Sequence, residues 1–179
     1  MRFFLLLSLP LYLLDQATKF WVLQRFPDYP SHEFIEVVPG FFHIVRVHNT
    51  GMAFGVLNNY EHANWIFGII AVAAVAVIAV FWRKGGFPDR ISKVAAALLI
   101  AGILGNLTDR ILPGRGYVVD FLDFQPPLYG KLFPSSGGHF PSFNVADSCI
   151  CIAAALLIIA SFRQAKQERA ALSEKKSEP

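Results

Sequence analysis

Eighteen consecutive residues without a charge, Trp65 to Trp82 (WIFGIIAVAAVAVIAVFW), constrain this chain more than any other feature. A helix that is apolar on all sides must be wholly buried or lie in lipid. At this length it is long enough to cross a bilayer, and the two tryptophans bracket it at interfacial depth. Three further apolar runs read as spans: residues 3–24, 91–112 and 144–162. Hydrophobic residues make up 54% of the chain and charged residues 16%, well below the ~25% usual for soluble domains. The net charge of +3 is small, and its basic residues cluster at the ends of the runs, which excludes a nucleic-acid-binding class. The expected fold is a mainly α integral membrane protein, a four-helix transmembrane bundle.

Residues 3–24 give about 33 Å of helix at 1.5 Å per residue, with Pro10 as a candidate kink. The opening looks like a signal-peptide core, but no small-residue cleavage site follows it. Phe34–Val38 and Phe41–Val47 flank Pro39-Gly40 and predict a β-hairpin, part of an extracytoplasmic β segment at about 34–57. Residues 1–165 are expected to form one membrane-embedded domain, and 166–179 a charged, frayed cytoplasmic tail. Arg2, the 83–93 loop and the tail hold most of the Lys and Arg, which places both termini in the cytoplasm. Asp15, Asp109, Asp120 and Asp147, from separate segments, then converge at the outer leaflet boundary.

Ionisable groups beside bilayer-length runs are functional candidates. Two carboxylates brought together can share one proton and activate a water, and Asp120 and Asp147 are the candidate pair. Asn106 and Asn144 can hydrogen-bond a carboxylate or a substrate backbone without adding charge. Asp15 and Lys19 stand at i and i+4, acid first, on one helix face. They read either as a structural ion pair or as a direct substrate contact. Asn106 and Arg110 also share a face. His43 and His48 read as strand-surface residues rather than metal ligands. Cys149 and Cys151 point about 200° apart on a helix and read as packing residues. Asp123 is a rival to Asp120. In a strand the two face opposite ways, and the β-branched, aromatic Val118–Phe121 favours that form. Residues 49–61, with glycines at 51 and 55, are a candidate mobile cover carrying a short interfacial helix after Gly55.

Five motifs in order resemble the lipoprotein signal peptidases (signal peptidase II). They are Asp15-Gln16-x-Thr18-Lys19, Asn49-x-Gly51-x-Ala53-Phe54, Gly105-Asn106-x-x-Asp109-Arg110, Val119-Asp120-Phe121 and Phe143-Asn144-x-Ala146-Asp147-Ser148. The resemblance covers nearly the whole chain up to the tail. It implies a membrane aspartic endopeptidase that cuts prolipoproteins just before the diacylglyceryl-modified cysteine. Asp120 and Asp147 would be catalytic. Asp15, Lys19, Asn49, Gly51, Asn106, Asp109, Arg110, Asn144 and Ala146 would shape the site. It further implies a β-cradle outside the bacterial plasma membrane, a monomer working among membrane lipid, block by globomycin-type cyclic peptides, and neither metal nor cofactor.

The chain departs from the family pattern in three places, one of them the rival carboxylate Asp123 three residues after Asp120. Ala101-Gly102 stands where Gly-Gly is frequent, and the connection between Asp120 and Asp147 is long and carries four prolines. The rival class is an ion-coupled small membrane transporter, since buried Asp and Lys also build proton relays. Against it, the sequence shows no inverted repeat, and its charges gather near one surface rather than at the midplane. A non-catalytic membrane scaffold is the remaining alternative, and it leaves the polar clusters without a purpose.

Overall fold

The structure is a computed structural model that describes residues 4–30, 32–51 and 63–177. Its helices follow from the apolar runs. A π-helical turn, Phe4–Ser8, leads into α1, Leu9–Arg25. Pro10 falls within the first two positions of α1. It cannot donate a backbone hydrogen bond, so the change from π to α winding comes directly before it. Helix α2 is Ala63–Arg83 and α3 is Arg90–Ile111. Asp89 caps α3, its carboxylate accepting from the amides of Ile91 and Ser92 at 2.7 and 3.0 Å. Helix α5 is Val145–Ser177.

Among the described residues, three helices are long and apolar enough to cross a membrane: Asn64–Arg83, Arg90–Ile111 and Val145–Ala170. They differ in how much they bury. Only 6% of the apolar window of α2 is buried, against 44% for α3. Helix α3 is therefore central, packed by α1, α2 and α5, while α2 turns most of its surface outward. Small residues make this possible. Ala95, Ala96, Ala97, Ala101, Gly102 and Gly105 are all buried along α3, and small side chains let helix backbones approach closely. A Cβ on Gly102 would lie 2.5 Å from the Ala146 carbonyl oxygen of α5.

The tail differs from expectation. Residues beyond Arg163 continue α5 as regular helix to Ser177. Gln, Glu, Lys and Ala are good helix formers, and Gln164 bonds Glu168 one turn on at 3.0 Å. Local propensity carries the helix past the end of the apolar run.

The predicted hairpin is two-thirds of a sheet. Strands β1 (Ile35–Val38), β2 (Phe42–Asn49) and β3 (Val118–Phe124) are antiparallel in the order β1-β2-β3. Gly40 takes φ 63° in the turn, a conformation that favours glycine. The third strand comes from far along the chain, and its Asp120 is paired with Val47. The sheet rests on the end of α1, where Val22 and Phe26 pack against Val119 and Phe121. Burying that apolar face holds the sheet in place, since an isolated hairpin is marginal in water.

The connection from β3 to α5 contains a short helix α4, Pro127–Leu132, and a 3-10 turn, Pro134–Ser136. It returns to the sheet at Phe143, whose amide and carbonyl bond those of Leu122 at 3.2 and 2.9 Å. Asn144 is thereby delivered beside Asp120. The candidate cover at 49–61 and the interfacial helix after Gly55 lie outside the described residues from 52 onward, as do Ala53 and Phe54.

Candidate active site

The site is built on the N-terminus of α5. A helix start leaves backbone N–H groups without internal partners. Asn144 precedes the first helical residue, and its Oδ1 accepts from the Asp147 amide at 2.9 Å. Asp147 Oδ2 accepts in return from the Asn144 amide at 3.2 Å. This is a reciprocal capping box with Asn and Asp as its two ends. Another free N–H, that of Ala146, is taken by Asp15 Oδ1 at 2.9 Å. Ala146 enters the site through its backbone.

The cap leaves the Asn144 amide nitrogen free to point at the sheet. Its Nδ2 donates to Asp120 Oδ1 at 2.7 Å. The other Asp120 oxygen accepts from Asn49 Nδ2 at 2.9 Å. Asn49 is oriented by its own Oδ1, which accepts from the Gly51 amide at 3.0 Å. On the helix side, Asn106 Nδ2 donates to Asp147 Oδ1 at 2.7 Å. Asp120 and Asp147 are thus joined through Asn144, and each receives a further amide of its own. Asp120 is only 2% exposed. Burial, and then the nearby Asp147 charge, push its pKa up to about 7, against the opposing pull of the Asn49 and Asn144 hydrogen bonds and of Lys19.

Behind the pair lies a buried charge cluster. Lys19 Nζ is 2.9 Å from Asp15 Oδ2 and 2.9 Å from Asp109 Oδ2, and donates to Asn106 Oδ1 at 3.0 Å. Lys19 and Asp109 are both 0% exposed. One ammonium therefore satisfies three acceptors on two helices. This resolves Asp15 and Lys19 as a buried pair joined to Asp109, which the i, i+4 spacing alone does not reveal. Asp109 Oδ1 also accepts from Arg115 at 2.6 Å, and its Oδ2 from the Val119 amide of β3 at 3.3 Å. The second carboxylate thus has a second cation, and the cluster of two acids and two bases is balanced.

The bonds of Arg110 go to neighbours of the carboxylate pair, while Asp120 and Asp147 lie close enough to act on its charge. Its Nη2 donates to the Gly51 carbonyl at 2.8 Å, its Nη1 to Asn64 Oδ1 at 3.2 Å, and it stacks over Phe67 at 4.2 Å. It ties α3 to the segment after β2 and to α2. Gly105 is where α1, α3 and α5 meet. A Cβ there would lie 2.6 Å from Asp15 Oδ2 and 2.9 Å from the Ala146 Cβ.

Two residues of the site carry no role in the sequence reading, Arg115 and Asn64, and Gln16 enters it only within a motif, without its contacts to Asp15 and the Gly105 carbonyl at 3.0 and 3.1 Å. Arg115 lies in a glycine-rich turn where no periodicity marks it. The Asn-x-x-Asp spacing of the cap is a readable signal, and it was the available clue to the role of Asn144.

Asp123 faces other partners, as the alternation of an extended strand requires. Its carboxylate is 2.9 Å from His139 Nδ1 and 3.5 Å from His43 Nδ1. His43 is a correction: it is buried between Asp123 and Glu36, not on the strand surface. The strands paired on either side of β2 bring Glu36 and Asp123 to it, and the Phe34 ring packs edge-on against it. His48 is half-buried, stacked between the rings of Tyr29 and Tyr117 at 3.5 and 3.6 Å. Burial, with Arg46 and Arg115 nearby, lowers its pKa to about 4, so it stays neutral and its Nε2 accepts from Arg46 at 3.0 Å. Cys149 packs with Ala95, Leu98 and Ala153, and Cys151 faces outward. Among the described residues no group of three or more His, Cys, Asp or Glu is placed to hold a metal ion.

The family model for signal peptidase (SPase) II matches residues 7–163. A lipoprotein signal peptidase of Geobacter metallireducens is 36% identical over 167 residues, 93% of this chain and 94% of that protein. One from Vibrio cholerae serotype O1 is 38% identical over 161 residues, 89% of this chain and 86% of that protein. A solved bacterial membrane enzyme superposes with a TM-score of 0.76 at 31% identity, covering 92% of this chain and 90% of the other.

Proposed function

The chain belongs to the signal peptidase II family, and on that premise we propose that Asp120 and Asp147 act together as an aspartic dyad. The activity of the protein is removal of the signal peptide from prolipoproteins. The finer reading is that it cuts just before the diacylglyceryl-modified cysteine, with a water as nucleophile. The observation that carries this reading is the bridge through Asn144, which holds the buried Asp120 and the partly buried Asp147 in one hydrogen-bonded unit.

Such a pair keeps one proton between its members and titrates as a unit. The ionised member takes a proton from water, and the protonated one donates to the scissile carbonyl oxygen. Asn49, Asn106 and Asn144 orient the carboxylates without adding charge. Lys19, held by Asp15 and Asp109, fixes Asn106. Gly51, Arg110 and the Ala146 amide hold the surrounding backbone.

The reading extends to placement. The Asn106 and Asp109 end of α3 lies at the outer face of the bacterial inner membrane, and the Arg90 end at the cytoplasmic face. Arg83, Lys84, Arg90 and Lys93 gather at that cytoplasmic end, which suits the positive-inside rule. Phe4–Arg25 then serves as a fourth span, both termini are cytoplasmic, and residues 1–165 work as one monomeric domain that globomycin-type peptides block. The site would admit acyl chains from lipid and water from outside.

The test is cleavage of a lipidated precursor peptide by purified protein in detergent. Asp120→Asn and Asp147→Asn are expected each to abolish turnover while the protein stays folded. Substantial turnover by either would falsify the dyad.

A further inference from the structure

Two contiguous cavities open at the opposite end of α3 from the active site. One, of about 370 Å³, is lined by Asp89, Arg90, Arg163, Gln164 and Gln167. The other, of about 360 Å³, runs between α2, α3 and α5 over Ile78, Phe81, Phe87, Leu99 and Leu157. They share Pro88, Asp89, Ala160 and Gln164. The site is far from the chemistry: Arg90 and Asn106 are separated by roughly 24 Å of helix at 1.5 Å per residue.

The two cavities divide by polarity. The first carries two guanidiniums from different helices. Arg90 and Arg163 have no hydrogen bond or ion pair among the described residues. The charges facing them are accounted for. Asp89 Oδ1 accepts from the amides of Ile91 and Ser92, and its negative charge lies at the same mouth, outnumbered by the two guanidiniums. Glu168 accepts from Gln164, and Lys93 donates to the Pro88 carbonyl. The second cavity is walled mainly by apolar side chains of α2, α3 and α5 and forms a slot beside this mouth.

We propose that this paired cavity binds one anionic glycerophospholipid, its phosphate on Arg90 and Arg163 and one acyl chain in the slot. Guanidiniums are suited to phosphate because their fork of donors matches its oxygens. Basic pockets between transmembrane helices are recurring sites for anionic head groups. A soluble anion would use the mouth and leave the slot to bulk lipid. Only a ligand with both parts fills the joined volume. The lipid would bridge α3 to α5 and seat α2, whose own contacts with the bundle are confined to one side.

The test uses the full chain purified in a zwitterionic detergent, with thermal unfolding and native mass spectrometry as readouts. Phosphatidylglycerol is expected to raise Tm and remain bound as one retained copy. Its apparent affinity should exceed that of phosphatidylcholine by on the order of tenfold, the scale of two arginines near a head group. The double variant Arg90→Gln/Arg163→Gln should lose that preference while precursor cleavage in detergent is unchanged. Ser161→Trp, which narrows the slot and leaves both arginines, should lose the retained copy. Equal stabilisation by both lipids, or a double variant that still prefers phosphatidylglycerol, would overturn the proposal. So would stabilisation by inorganic phosphate alone, which would mark the mouth as an anion site.

Discussion

Asn144 and Asp147 hold each other: each side chain accepts from the backbone amide of the other, at 2.9 and 3.2 Å. The pair is at once the cap of α5 and one end of the carboxylate bridge. The geometry of the proposed dyad is therefore fixed by the same bonds that start the helix. Asn serves better here than Ser or Asp, because after its oxygen caps the helix it still has an N–H for Asp120.

That double role can be separated. Asn144→Ser retains a capping oxygen but has no amide to give Asp120. Its Tm should stay close to the parent, while kcat/KM falls by roughly 10²-fold, as for loss of one preorganised donor. Asn144→Ala should lose about 1 kcal/mol more of stability, the usual worth of a cap. Equal losses of activity and stability in both variants would show that the cap alone matters.

Lys19 is the only cation in contact with both Asp15 and Asn106 among the described residues. Lys19→Met would leave Asp15 without its charge partner and Asp109 with Arg115 alone. Breaking a buried pair this way costs about 3–5 kcal/mol. Arg115 is partly exposed, so Arg115→Gln should be clearly milder. Denaturant unfolding of the two variants decides the ranking, and a harsher Arg115→Gln would reverse it.

The legible parts of this site are the local ones. Asp15 and Lys19 are one helical turn apart, and Asn144 and Asp147 carry the spacing of a cap. Helix and strand periods place such pairs without knowledge of the fold. Asp109 joins Lys19 only because α1 packs on α3, and His43 meets Asp123 only because β3 pairs with β2. Those contacts depend on long-range pairing, which no local pattern encodes. The tail shows the reverse effect: its charges suggested fraying, yet its helix-forming residues simply extend α5. The span count is likewise clear for α2, α3 and α5, while α1 mixes a proline, a π turn and a buried ion pair into its apolar run.

Gly105 leaves no room for a methyl group between Asp15 and Ala146. Gly105→Ala should push α3 away from α5 and loosen the Ala146–Asp15 bond, costing about 1–3 kcal/mol as other overpacked sites do. Activity should fall more than stability, because the Asn106 that reaches Asp147 is the next residue. A variant with parental Tm and parental turnover would show that the helices separate freely.

Asp120 is expected to cost the protein stability above neutral pH. Its folded pKa of about 7 lies above the ordinary 3.8, so between these values the folded state holds a proton that the unfolded state has lost. Stability then falls as pH rises through that window. Asp120→Asn removes the effect. Its Tm should match the parent near pH 4 and exceed it at pH 8, by an amount on the order of a few kcal/mol at most. A parental advantage at pH 8 would mean that the ionised carboxylate is well satisfied.

If the proposed dyad is the catalyst, the same titration sets the alkaline limit of activity. A dyad needs one shared proton, so kcat/KM should decline as pH rises through about 7. Asn49 tunes that limit, because its Nδ2 donates to Asp120 Oδ2 and such a bond favours the ionised form. Asn49→Ala removes the donor, which makes the proton harder to lose. The alkaline limb should therefore move to higher pH even as the maximum rate falls. A purely structural role for Asn49 predicts a lower rate with the limb in place. The decisive measurement is the pH dependence of kcat/KM for the parent and for Asn49→Ala with one precursor peptide. A limb that stays put, or that moves toward acid, would remove Asn49 from the control of the dyad.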